Sequence, residues 1–133
     1  MVQYEAFAAA LLLCDRVAAN ESTGVTDLGG IFFELESQQF PFQREFSLWT
    51  HLIWNYTDKA KLTVLCREEG SNWFTNLVRD HPFSFEGHGQ KSVAFHIDWF
   101  RFPRPNRYYF YLKCDGEIII THSIVVREKS PSQ

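Results

Sequence analysis

The stretch Arg101–Val126, RFPRPNRYYFYLKCDGEIIITHSIVV, decides how this chain reads. Apolar and polar residues alternate with a period of two on both sides of Asp115-Gly116, the pattern of two half-buried strands joined by a tight turn. Two registers compete. With a two-residue loop at Asp115-Gly116, Leu112 faces Ile119 and Phe110 faces Thr121, which leaves Ile118 and Ile120 on the opposite face. A three-residue loop of Cys114, Asp115 and Gly116, with Gly116 left-handed in a bulge, pairs Leu112 with Ile118, Phe110 with Ile120 and Tyr108 with His122. The second register is favoured because it gathers Tyr108, Phe110, Leu112, Ile118, Ile120, Ile124 and Val126 on one face. A slip of one residue would turn one strand's whole set outward.

The same period continues through the rest of the chain, and no segment after residue 20 holds a helical repeat. A first strand spans Ala6–Arg16, the NESTG turn follows at Asn20–Gly24, and a second strand spans Val25–Leu35. Gly29 and Gly30 inside that strand point to a bulge or a close backbone approach. In EFSLWTHLIWNY the core set is Phe46, Leu48, Leu52, Trp54 and Tyr56, with Trp49, His51 and Ile53 on the other face. Leu62, Val64 and Cys66 form the next core set. WFTNLVRD reads as a strand and His81–Gly89 as a loop. Then Val93, Phe95, Ile97 and Trp99 point one way and Ser92, His96 and Asp98 the other. Seven or eight short antiparallel strands predict an all-β, two-sheet β-sandwich, immunoglobulin-like in general architecture. It occupies residues 1–128 as one domain, with 129–133 a frayed polar tail.

A chain of 133 residues buries about two thirds of its unfolded surface and needs no metal or disulfide to fold. Lys plus Arg is 13 against 16 for Asp plus Glu, a formal charge of −3, which argues against nucleic acid and anionic membrane as partners. Three scattered cysteines, Cys14, Cys66 and Cys114, make no disulfide framework and fit a reducing cytoplasm. The AFAAALLLCD segment mimics an export signal, but Glu5 and Leu13 are the wrong residues for one. No apolar run approaches the ~20 residues a membrane helix needs.

Gly30, Phe32, Phe40 and Pro41 form one block, and Phe102, Pro103, Tyr108, Phe110, Leu112, Asp115 and Gly116 form a second. Together they resemble an uncharacterised bacterial family of small domains known by a domain-of-unknown-function label. The resemblance implies a compact β-sandwich with a closing hairpin, and it brings no activity, substrate or catalytic residue. Asn106 stands near the position where the family pattern has a glycine after the loop proline, which leaves the turn type open.

Surplus outward aromatic and arginine residues suggest a grip. Trp49, Ile53, Arg101, Phe102, Arg104, Arg107, Tyr109 and Tyr111 are the residue types enriched at protein interfaces, so the leading reading is a non-enzymatic protein-interaction or self-association module. An alternative is a small-ligand or metal site from His81, His88, His96 and Asp98, although the spacing matches no zinc pattern and His96 and Asp98 stand ~6.5 Å apart along a regular strand. A third reading, a single-strand nucleic-acid strip on the same arginines and rings, is opposed by Asp98, Asp115 and Glu117. The cysteines fall on apolar faces or at a turn, and no nucleophile elbow or phosphate loop occurs, so neither enzyme chemistry nor a cofactor is expected.

Overall fold

The computed structural model describes residues 6–130; residues 1–5 and 131–133, with the Glu5 side of the export reading and the end of the polar tail, lie outside the described residues. The protein is all-β. The described residues form ten strands, β1 (Ala6–Cys14), β2 (Arg16–Asn20), β3 (Val25–Gly29), β4 (Glu34–Ser37), β5 (Phe42–Trp54), β6 (Asp58–Glu68), β7 (Phe74–Phe85), β8 (Gly89–Phe102), β9 (Asn106–Cys114) and β10 (Glu117–Glu128). They form a three-stranded sheet β1-β5-β8, a five-stranded sheet β4-β10-β9-β6-β7 and a separate ribbon β2-β3. Among the described residues, no helix is long and apolar enough to cross a membrane.

The two larger sheets share one core. Phe46, Leu48, Leu52 and Trp54 of β5 meet Leu62, Val64 and Cys66 of β6, and Tyr108, Phe110 and Leu112 of β9, all as the alternation predicts. Phe46 contacts Phe110 edge to face at 5.9 Å and ties one sheet to the other. Each such ring or leucine removed from water contributes about 1.5–3 kcal/mol, so this face dictates strand pairing.

Four sequence expectations change. Seven or eight strands in two sheets become ten in three because the first predicted strand breaks at Asp15. The Asp15 N–H donates to the carbonyls of Gly29 and Gly30 at 2.9 and 3.1 Å, and its carboxylate meets Arg44. Gly30 is left-handed (φ 67°), and a Cβ there would collide with the Asp15 side chain, which is the close approach its sequence suggests. The predicted second strand therefore ends at Gly29, and the chain resumes as β4, which pairs with β10 in parallel, not antiparallel. At the far end of that pairing the Lys129 N–H donates to Ser37 O at 2.9 Å.

The hairpin register is the second correction. Glu117 pairs with Cys114 and Ile118 with Lys113 across a two-residue Asp115-Gly116 loop, both residues left-handed at φ 49° and 90°. A bulge between Ile118 and Ile120 then shifts the ladder, so Leu112 pairs with Ile120, Phe110 with His122 and Tyr108 with Ile124. Ile118 is exposed, while Ile124 and Val126 are buried as expected. The turn is fixed by Asp115, whose N–H donates to Lys61 O at 3.0 Å while its carboxylate accepts from the Lys61 N–H at 2.9 Å. Thirdly, His81–Phe85 continue β7 opposite β6, with Pro82 tolerated because β7 is an edge strand. The fourth correction, in β8, builds the site.

Candidate functional site

Strand β8 pairs with β5, but Phe46 stands opposite Ile97 and Arg44 opposite Phe100. Glu45 thus faces two residues, Asp98 and Trp99, which is a β-bulge. Trp99 adopts φ 48°, an outlier for a bulky ring. The extra residue reverses the alternation beyond it. Ile97 points inward, Trp99 is 67% exposed, and Phe102 is completely buried. Phe102 packs on Phe42 at 5.7 Å and Tyr108 at 5.0 Å. The sequence places Trp99 in the core and Phe102 on the surface, and the bulge exchanges them.

The same bulge gathers polar groups. His96 Nε2 lies 3.0 Å from Asp98 Oδ1 and 3.3 Å from Glu45 Oε2, and its Nδ1 lies 3.5 Å from the hydroxyl of buried Ser47. The regular-strand separation of His96 and Asp98 is closed by the bend, and Glu45, which the sequence reading passes over, completes the cluster. His81 and His88 do not join it: His81 sits on β7 with its ring against Phe95 at 5.1 Å, and His88 lies in the turn between β7 and β8. Glu45 is legible only once the bulge is known, since nothing in its local pattern sets it apart.

A groove runs along the side where the edges of β7 and β8 face each other. One cleft of about 570 Å³ is lined by Thr75, Asn76, His96, Asp98, Trp99 and Arg101. A smaller one of about 200 Å³ shares Thr75 and Arg101 with it and adds Glu68 and Trp73. Trp73 is 85% exposed and Phe74 50%. These two rings follow the EEGSN turn, and their adjacency hides them from a period-two search. The rim therefore carries Trp73 and Trp99 with charges of both signs, including the Arg104 to Glu68 ion pair at 2.6 Å, while Phe74, paired with Arg67, turns to the outer face of the five-stranded sheet against Tyr111.

The predicted contact residues fall in several places. Trp49 and Ile53 are half-buried on the outer face of the three-stranded sheet, and the Trp49 Nε1 is enclosed with no hydrogen-bond partner among the described residues. Tyr109 and Tyr111 lie on the outer face of the five-stranded sheet, stacked at 6.4 Å. Arg67 Nε donates to the Tyr111 hydroxyl at 3.1 Å, and its guanidinium lies 4.9 Å from the Tyr109 ring centre. Arg107 donates to the Ser123 hydroxyl at 3.2 Å. Of the predicted set, Arg101 lines the groove beside Trp99, and Arg104 reaches its smaller cleft through the ion pair with Glu68.

Burial sets the ionisation of the interior groups. It pushes the Cys66 thiol up to about 12 with help from the Glu68 charge, and Cys114 up to about 11 with help from Asp115, Glu117 and Asp58; Cys14 is also raised, by burial and then Asp15. These thiols stay protonated near neutral pH. Burial also lifts Tyr108 to about 12, and its hydroxyl donates to the Arg104 carbonyl at 2.6 Å. His122, on the core face opposite Phe110, is lowered by burial, and its Nε2 is enclosed without a partner among the described residues.

An all-β domain of two sheets on a common core, with a ribbon beside them and a bulged edge, is the class these features define. The chain belongs to DUF6941, a family of unknown function, whose model matches residues 9–127. No curated protein matches it. Among solved structures it is similar to a β-glucosidase from Listeria innocua (TM-score 0.55, 8% identity), over 94% of this chain and 16% of that one. It is also similar to a GH3 β-glucosidase from Bifidobacterium adolescentis (0.52, 6%), over 92% and 17%. A third likeness is to the Pseudomonas fluorescens alkylpurine DNA glycosylase AlkC (0.50, 12%), over 88% and 30%. The chain spans about a sixth of the glucosidases, and at these identities the likeness is one of fold.

Proposed function

We propose that this domain is a non-enzymatic contact module with an immunoglobulin-like β-sandwich, and that it docks through the groove rim that carries Trp73 and Trp99. The architecture is supported by the strand orders β1-β5-β8 and β4-β10-β9-β6-β7, which match an A-B-E sheet opposite a G-F-C sheet with an added strand at each edge. It is also supported by Tyr108, whose hydroxyl bonds back to the carbonyl four residues upstream near the start of β9, as a tyrosine corner does. Occurrence of a similar fold as a fraction of larger enzymes is consistent with a module.

The observation that carries the contact reading is the exposure of two indoles on one rim, Trp73 at 85% and Trp99 at 67%. Covering such area contributes roughly 25 cal/mol per Å² of apolar surface. The occupant favoured is a second copy of the chain, because a two-fold interface needs a self-complementary patch and this rim carries Arg101 and Asp98 together. Native mass spectrometry from about 1 to 100 μM chain tests it, the range in which a dimer with a Kd of micromolar order populates. A dimer that grows with concentration and is lost in Trp73→Glu supports the reading; a monomer at every concentration overturns it.

A further inference from the structure

We infer that Glu45, His96 and Asp98 form a binding site for a divalent transition-metal ion. This rests on the bulge geometry and not on the contact reading. The three ligand atoms converge within 4.8 Å of one another from two paired strands. Nε2 of His96 stands 3.0 Å from one carboxylate and 3.3 Å from the other. Bonds of about 2.0–2.2 Å to one ion give neighbouring donor atoms separations of roughly 3.0–3.4 Å, so both histidine–carboxylate pairs already have the spacing, and the two carboxylates, within 4.8 Å of one another, close on the ion by side-chain rotation.

Proton accounting favours an ion over a plain hydrogen-bonded cluster. A single Nε2–H satisfies one carboxylate well and leaves the second facing it without a proton of its own. A cation in place of that proton answers both carboxylates and the imidazole lone pair together. Nδ1 then carries the proton and donates to the Ser47 hydroxyl, which lies 3.5 Å away. Ser47 is itself only 8% exposed, so it acts as a fixed outer partner of the kind that orients metal-binding histidines. Arg44, next to Glu45, is turned to Asp15 and does not compete for the carboxylate. One imidazole with two carboxylates suits zinc or manganese, with zinc the tighter. All three ligands are exposed, which leaves room for water on the ion.

Calorimetric titration of the chelator-treated full chain with zinc chloride, then with manganese chloride, tests the site. One saturable zinc site per chain is expected, weakened about tenfold or more in His96→Ala and in Asp98→Asn, and less in the positioning variant Ser47→Ala. Because these side chains other than Ser47 are exposed, circular dichroism should be unchanged in the two ligand variants, and Asp98→Asn serves if His96→Ala does not fold. No saturable binding up to about 1 mM zinc, or an affinity untouched by both ligand variants, overturns the site.

Discussion

Two aromatic regions of this domain have similar composition and opposite character. On the outer face of the five-stranded sheet, Tyr109 and Tyr111 stack on one another, Arg67 lies against the first and donates to the second, and Phe74 packs beside Tyr111 at 5.7 Å. At the groove rim, Trp73 and Trp99 leave most of their surface in water. The braced rings have already lost rotamer freedom and made their polar contacts, so a partner adds little there. The exposed indoles still have apolar area to bury.

The sharpest way to break this comparison is to remove a ring on either side of the bulge. Phe102→Ala, at a fully buried position, should cost about 3–5 kcal/mol by urea denaturation. Trp99→Asn, three residues away, should stay within about 0.5 kcal/mol, since asparagine tolerates the left-handed backbone. Equal losses would mean that the bulge does not exchange the two residues. Next in size, Gly30→Ala should destabilise by about 1–3 kcal/mol, because it forces a Cβ at φ 67° onto Asp15. A neutral result would show that the Asp15 turn relaxes freely.

Smaller effects probe the braced face and the interior. Arg67→Ala should cost about 1 kcal/mol and free both tyrosines, seen as a change in their fluorescence; an unchanged protein would remove the distinction between braced and exposed rings. His122 tests burial through pH. Its folded-state pKa lies below the ordinary 6.5, so the unfolded chain takes up the proton first. Stability should therefore fall as pH drops below about 6.5, toward the lower folded value, and hold above it. His122→Gln should flatten that part of the pH profile, and an identical slope in the variant would assign it to other groups.

Much of this fold is legible in the sequence where strands stay regular. Phe46, Leu48, Leu52, Leu62, Val64 and Phe110 all sit where a period of two puts them, because a single residue's slip would expose them. What escapes is each place where one residue is inserted. The Ile118 to Ile120 bulge changes the hairpin register that the apolar count favours, and the Trp99 bulge reverses Phe102. Neither bulge carries a glycine at its shifted position, so turn chemistry gives no warning. The candidate site suffers most, since the contact of Glu45, His96 and Asp98 exists only because β8 is irregular there.

Sedimentation velocity on two single variants, Trp99→Asn and Tyr109→Asn, tests most directly whether the rim or the braced face makes contacts. The proposed dimer should form in the unaltered chain, dissociate in Trp99→Asn and persist in Tyr109→Asn. Loss of the dimer in Tyr109→Asn with retention in Trp99→Asn would place the contact on the five-stranded sheet and contradict the role given to the bulge.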